Sequence, residues 1–145
     1  MNGNKSEKME IRLEFSESLE RLQGVLSLRS AYGESAGEGM RAEGISARGR
    51  RMLKEVWLAE AGRVASEMSR WGDARVDAMP ARLTVSLRGG NLGAGVISRA
   101  LAYCVETSVV ASVTMQSGGR LEDSDLYSRD WALDSLLSLM AGHER

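Results

Sequence analysis

The sequence predicts a mainly α-helical protein, with a four-helix bundle-like domain and a small two-stranded β element. Apolar side chains recur at helical spacing in four segments, whereas they alternate with polar side chains in two short ones. The 145 residues are 43% hydrophobic and 27% charged, which suits one globular domain that needs neither a disulfide nor a metal to hold its core. We therefore expect a single helical domain over residues 9–145, preceded by a flexible N-terminus at 1–8 and carrying a glycine-rich loop at 33–49.

The two alternating segments predict strands that pair with each other. The first spans residues 11–15, and the second runs from Leu83 to Leu87 before two glycines end it. In both, every second side chain is apolar, so each strand presents one face to the core. Residues 73–80 are predicted to be a connector that ends at the single proline, Pro80.

The first two predicted helices follow serines that can cap them. Ser16 precedes leucines at helical spacing that reach about Tyr32, although the same segment also suits a continued strand. Ser46 precedes the longest helical stripe, which ends near Gly72. That stripe comprises Leu53, Val56, Trp57, Ala61, Val64, Met68 and Trp71. We expect it to face the core.

The last two predicted helices are joined by a short turn, so we expect them to pack antiparallel. The third begins near Leu92 and the fourth near Ser124. One face of the third carries Ile97, Leu101, Cys104, Val105, Ser108 and Ser112, and one side of the fourth carries Leu126, Leu133, Leu136, Leu137 and Met140. The third helix holds the longest apolar run, so the other elements are expected to cover it.

The sequence predicts a cytoplasmic protein. The first 15 residues lack the continuous apolar core of a secretory signal. Residues 96–113 are apolar, but Arg99 and Glu106 interrupt them, which favours a core helix over a membrane span. The lone Cys104 lies on the apolar face of that helix, which suits a buried thiol in a reducing compartment. A net charge of −1 gives no overall attraction to nucleic acid or membrane.

One string resembles a dinucleotide-binding turn, because residues 93–98 read GAGVIS between a strand and a helix. Its sixth residue is Ser98 where glycine or alanine is usual, and no second strand–helix–strand unit follows. A flexible strand-to-helix turn is therefore the favoured interpretation. A phosphate-binding Walker loop is excluded, because the sequence contains no Gly-Lys-Ser or Gly-Lys-Thr.

No residue is predicted to be catalytic, to bind a cofactor or to ligate a metal, so we do not expect an enzyme. The single histidine, His143, is expected to be a solvated residue of the C-terminal tail, which leaves Cys104 without a histidine partner. Glu122, Asp123 and Asp125 coincide with a helix start, where carboxylates complement the helix dipole.

Two groups of side chains are candidate contacts for a partner. Arg41, Arg48, Arg50 and Arg51 form the densest positive cluster, which suits contact with DNA phosphates or an acidic protein but is also common on a solvated surface. Tyr127 and Trp131 lie four residues apart on the last predicted helix. They form either an exposed anchor for a partner or a partly buried part of the core.

The order of segments resembles that of a known class of small proteins. The chain contains, in order, LSLRSAYG, EVWLAEAGRVASEMSRWG, LTVSLRGG, ISRALAYCVETSVVASVTMQ and DLYSRDWALDSLLSLM. This order is similar to that of small helical proteins of the head–tail connector or tail-completion type from Bacteroidetes prophages, in which Arg99 and Tyr103 have counterparts on the corresponding helix. At residues 89–93 this chain reads GGNLG, where those proteins carry a polar turn with an aromatic residue.

The resemblance implies a structural role in virion morphogenesis, without catalysis, in the cytoplasm of a bacterial host or as a component of its virion. Such a protein would associate with itself in a ring, or with portal or tail proteins, through surface complementarity. The alternative is a small cytoplasmic nucleic-acid-binding or regulatory module that uses the arginine cluster Arg41, Arg48, Arg50 and Arg51.

Overall fold

The computed structural model describes residues 8–31, 40–41, 44–116 and 123–144, with side chains described at 8–26, 46–115 and 128–144. The protein is mainly helical, as predicted. The elements run in the order β1 (Lys8–Glu14), α1 (Phe15–Ala31), β2 (Met40–Arg41), β3 (Gly44–Ile45), α2 (Ala47–Met68), β4 (Gly72–Ala78), β5 (Ala81–Arg88), α3 (Ala94–Gln116) and α4 (Asp123–Glu144).

The principal sheet is antiparallel and has three strands in the order β1–β5–β4. Ile11 lies opposite Val85 and Leu13 opposite Leu83, so the predicted pairing of the two alternating segments is confirmed. The predicted number of strands is wrong, because residues 72–78 form β4 and pair with β5 instead of forming a connector. The alternating pattern of β4 is weak in the sequence for a physical reason. β4 is an edge strand, and Val76 is the one large apolar side chain in GDARVDA.

Two further strands lie within residues 33–49, which were predicted to be a glycine-rich loop. β2 and β3 pair with each other through Met40 opposite Ile45 and Arg41 opposite Gly44. The first turn of α2 also begins there, at Ala47, where the hydroxyl of Ser46 accepts a hydrogen bond from the backbone N–H of Gly49. The predicted N-cap is therefore confirmed.

The core lies between the sheet and the helices. Leu83, Val85 and Leu87 of β5 are buried, and α2 packs against β4 and β5. Trp57 of α2 is fully buried and meets the ring of Phe15 edge to face at 5.8 Å. The stripe predicted for α2 is buried from Leu53 to Met68, whereas Trp71 lies beyond the end of the helix.

Helix α3 is central, because it contacts β1, α1, α2 and α4. Its predicted inner face is confirmed at Ile97, Leu101, Cys104 and Val105, all of which are buried. By length and composition, α3 is also the one helix among the described residues that could cross a membrane. Its apolar face is packed against β1, α1, α2 and α4.

The other face of the sheet is polar. Glu10 and Arg12 of β1, and Asp73 and Arg75 of β4, are exposed there because they alternate with the inward-facing apolar residues. Ion pairs connect neighbouring charges on this face, with Arg12 2.9 Å from Glu10 and Arg75 3.6 Å from Asp77. Such exposed pairs contribute little to stability, so the face is primarily a solvated surface.

Two glycine substitutions should have opposite effects on stability. A Cβ atom on Gly72 would lie 2.0 Å from the backbone oxygen of Ser86 in the neighbouring strand, whereas one on Gly62 in α2 would meet nothing within 4 Å. We expect Gly72→Ala to lower the free energy of unfolding by more than about 1 kcal/mol. The matched control Gly62→Ala should raise it by about 0.5–1 kcal/mol, because alanine favours a helix interior. Urea denaturation measures both, and equal effects would contradict the close approach of β4 to β5.

Candidate interaction surface

Helices α3 and α4 pack antiparallel, as predicted. The residues just before α3 contact the last turn of α4 through Leu92 and His143, and the middles of the helices meet through Tyr103 and Trp131. The two rings lie edge to face, with centroids 6.1 Å apart and planes at 88°. Trp131 nevertheless remains 53% exposed and Tyr103 40% exposed. Together the two side chains form a partly exposed aromatic surface, which we call the aromatic pair.

A groove lies beside the aromatic pair, where α1, α3 and α4 meet. Its volume is about 270 Å³. The fully buried Leu22 contributes to its lining, with Val25, Tyr103 and Val110 as further apolar walls. Val25 is apolar and is nevertheless 44% exposed. The groove therefore presents apolar surface to solvent.

An ion pair lies among the residues that line this groove. The guanidinium of Arg21 donates from Nη2 to one oxygen of Glu106 at 2.7 Å and from Nε to both oxygens at 3.0 Å. This hydrogen-bonded contact raises the pKa of Arg21 above its ordinary value. The Glu106 side chain is 16% exposed and that of Arg21 55% exposed. Since Glu106 engages only one edge of the guanidinium, Arg21 still presents positive charge to solvent.

His143 is buried, so the prediction of a solvated tail residue is wrong. Its Nδ1 accepts a hydrogen bond from the backbone N–H of Leu92 at 3.1 Å, and its Nε2 lies 3.0 Å from the backbone oxygen of Arg88. These contacts require a neutral ring with the proton on Nε2. The ring therefore joins the end of α4 to the turn between β5 and α3.

The backbone completes this contact, which we call the α4 clasp. Asn91 donates from its backbone N–H to the oxygen of His143 and from Nδ2 to the oxygen of Gly142, both at 3.1 Å. These bonds satisfy carbonyls that the end of a helix leaves without partners. Gly90 is required at its position, because a Cβ atom there would lie 2.2 Å from the oxygen of His143. The GGNLG turn thus has a structural role.

The same geometry disfavours a dinucleotide site at residues 93–98. The turn does join a strand to a helix, as the sequence predicted. However, β5 pairs antiparallel with both of its neighbours, whereas a dinucleotide-binding fold places that turn after a strand of a parallel sheet. The structure therefore agrees with the favoured interpretation of a strand-to-helix turn.

Cys104 is a buried thiol, as predicted. It lies beside a small polar pocket between α2, α3 and α4, whose lining includes Glu60 and Arg63. Glu60 is 7% exposed and accepts a hydrogen bond from Arg63 at 2.8 Å, so its buried charge is paired. Burial raises the pKa of Cys104 to about 11, which makes the thiol unreactive near neutral pH.

The predicted arginine cluster lies at the start of α2. Arg48, Arg50 and Arg51 are all exposed, and the first turn of this helix contains no acidic residue. Arg41 belongs to β2, and its side chain lies outside the described residues. Arg48 and Arg51 are three residues apart and share one face of the helix, whereas Arg50 lies on another. The three arginines therefore do not all lie on one face of the helix.

Of the remaining predicted residues, the structure describes the side chain of Trp131 alone. Trp131 is an exposed member of the aromatic pair, whereas the side chain of Tyr127 and those of residues 122, 123 and 125 lie outside the described residues. Within the described part of the chain, no three histidine, cysteine, aspartate or glutamate side chains are grouped so that they could hold a metal ion.

No model of a protein family matches this chain, and neither a curated protein nor a solved structure matches it. The surface must therefore be interpreted from its own geometry.

Sequence reasoning identified Trp131 but missed the groove beside it. The groove is built by residues far apart in the chain, since Arg21 and Glu106 are separated by 85 positions. The available signal was Glu106, the one acidic residue within a mostly apolar helix, which indicates that this side of the helix faces a polar partner. His143 was missed because a lone histidine near a chain end carries no periodic pattern.

Removal of the His143 ring should destabilise the protein. His143→Ala leaves the N–H of Leu92 without its acceptor and opens a cavity, so we expect a loss of about 2–4 kcal/mol in the free energy of unfolding. The adjacent exposed residue provides the control, because Glu144→Ala should change stability by less than about 0.5 kcal/mol. Chemical denaturation measures both. A His143→Ala protein as stable as the wild type would show that the ring is solvated and that the α4 clasp does not form.

Proposed function

We propose that this protein is a structural component of a phage or prophage virion, of the head–tail connector or tail-completion type. It acts by protein–protein assembly, with copies of itself in a ring or with portal or tail proteins. The order of its segments supports this class, because it resembles that of such proteins. Assembly takes place in the cytoplasm of the bacterial host, where the single thiol remains reduced.

The observation that carries the proposal is the exposure of the aromatic pair. Large aromatic side chains that pack rigidly and still face solvent contribute strongly to binding, because little conformational entropy is lost when a partner covers them. Trp131 and Tyr103 have this arrangement, with exposures of 53% and 40%. The groove extends the apolar surface towards Val25 and Val110, and Arg21 adds a charge among its lining residues. Such an apolar centre with charge at its side is typical of protein interfaces.

The helices provide a scaffold for this surface. α1, α3 and α4 would act as a bundle-like unit, with the charged sheet face directed elsewhere. The α4 clasp holds the last helix in place, so Trp131 has a fixed position before a partner arrives. A surface that is ordered in advance loses less entropy on association, which favours a regular assembly.

A second candidate function is supported by the exposed arginines at the start of α2. Arg48, Arg50 and Arg51 provide positive charge that could neutralise DNA phosphates in a small nucleic-acid-binding or regulatory module, with Arg41 as a fourth candidate. This function requires that duplex DNA binds and that its affinity falls steeply as salt rises. The aromatic pair has no role in it, so substitutions at Trp131 separate the two functions.

Substitution of the exposed tryptophan should weaken assembly without unfolding the protein. We expect Trp131→Ser to raise the concentration needed for self-association at least about tenfold, because it removes the centre of the contact surface. Met115→Ser is a matched control, since Met115 is 59% exposed and does not line the groove. Sedimentation velocity measures association, and far-ultraviolet circular dichroism confirms folding. Equal association of wild type and Trp131→Ser would contradict the proposed contact surface.

A further inference from the structure

The α4 clasp is closed by the only histidine of the chain, His143, which is 3% exposed. Both nitrogens of its ring are engaged with the backbone. Nδ1 accepts a hydrogen bond from the N–H of Leu92 at 3.1 Å, and Nε2 donates one to the oxygen of Arg88 at 3.0 Å. The two backbone groups therefore fit only one charge state of the ring. Histidine is the side chain that ordinarily changes its charge between about pH 5 and pH 8.

A second proton on the ring is incompatible with this contact. Protonation of Nδ1 converts it from an acceptor into a donor, so that the N–H of Leu92 points at another N–H. The bond from Nε2 to the oxygen of Arg88 can remain. The charged ring therefore loses one of its two hydrogen bonds, and the partly buried N–H of Leu92 loses its acceptor, which is unfavourable.

The charges around the ring offer the imidazolium little compensation. Arg88 and Glu144 line the same pocket as the ring, and Lys8 lies opposite Arg88 in the neighbouring strand. Arg70 lies over the ring of Trp71, a further lining residue, at 5.2 Å. The first turn of α3 contains no acidic residue. Glu144 is thus the one carboxylate among the described lining residues, and it is exposed, so water screens its charge.

We propose that the α4 clasp is a pH-sensitive switch, in which uptake of one proton by His143 releases the last turn of α4 from the turn before α3. The proton comes from solvent and occupies the lone pair of Nδ1. The pocket beside the ring has a volume of about 420 Å³ and is lined in part by the exposed Arg88 and Glu144, so the charged ring can meet water there.

Release of the clasp exposes apolar surface. Leu87 and Met140 line the same pocket, and they are 1% and 0% exposed while the clasp is closed. Once the end of α4 moves away, water reaches both side chains. The switch belongs to the single chain, so it operates with or without the proposed assembly.

The direction of the pH dependence follows from proton binding. The histidine of an unfolded chain takes up its proton near about pH 6.5, whereas the contacts of the closed clasp require the neutral ring. Below that pH the unfolded chain binds one proton more than the closed form. The contribution of the clasp to stability is therefore present above about pH 6.5 and is lost as the pH falls.

Urea denaturation of the wild type and of His143→Asn, at pH 7.5 and at pH 5.5, tests the switch. Asparagine keeps an oxygen near the position of Nδ1 that can accept the N–H of Leu92, but it does not titrate. We expect the unfolding constant of the wild type to rise about three- to tenfold more than that of the variant as the pH is lowered. Comparison of the two proteins removes the contributions of all other titratable groups.

Hydrogen exchange of the wild type is a second measurement that needs no variant. We expect the protection factor of the Leu92 amide to fall at least about threefold between pH 7.5 and pH 5.5, because the clasp opens locally. The amide of Gly49 is the matched reference, since it also donates to a side chain, the hydroxyl of Ser46, at 3.0 Å. Its protection factor should be the same at both pH values.

Either of two results would overturn the inference. An equal pH dependence of the wild type and His143→Asn would show that the folded protein accepts the proton without loss of stability. An unchanged protection factor at Leu92 would show that the clasp stays closed in acid, and this measurement decides alone if His143→Asn does not fold. Neither result bears on the proposed assembly, which is tested by the mass of the protein in solution.

Discussion

The antiparallel packing of α3 against α4 is the constraint on which the rest of the structure depends. The α4 clasp fixes it at one end, where His143 and Asn91 join the last turn of α4 to the turn before α3. Near the middle, Tyr103 and Trp131 meet edge to face. Buried residues of both helices, Leu101 and Leu136 among them, belong to the same hydrophobic core. The register of the two helices therefore determines the position of every exposed side chain along this surface.

This packing explains why apolar surface remains exposed. A helix in the centre of a small protein has neighbours on most sides, and α3 contacts the sheet and three helices. Between α1 and α4 the neighbouring elements do not close completely, which leaves the groove and part of Tyr103 and Trp131 in contact with water. Covering that surface is favourable by about 25 cal/mol for each Å² of apolar area removed from water. A partner molecule supplies the missing contact in our account.

The sequence predicts most of the fold because the spacing of apolar residues along a segment indicates which of its faces is buried. The apolar stripes from Leu53 to Met68 and from Ile97 to Val105 correspond to buried helix faces, and the pairing of Ile11 with Val85 follows from alternation. β4 has the same alternation, but its small and charged residues conceal it, since an edge strand buries little. His143 and the groove were beyond sequence reasoning for another reason. Each is formed where elements that are distant in the chain cross. The periodicity of a single segment carries no information about such crossings.

Our central proposal is that this protein assembles with itself and that it does so independently of nucleic acid. The mass of the wild type, measured by light scattering over a range of concentrations with and without duplex DNA, tests it most directly. We expect a mass that rises with concentration beyond two copies and is the same in both conditions. A monomer at every concentration would contradict the account, and a monomer whose mass increases only with DNA would instead support the arginine cluster at the start of α2.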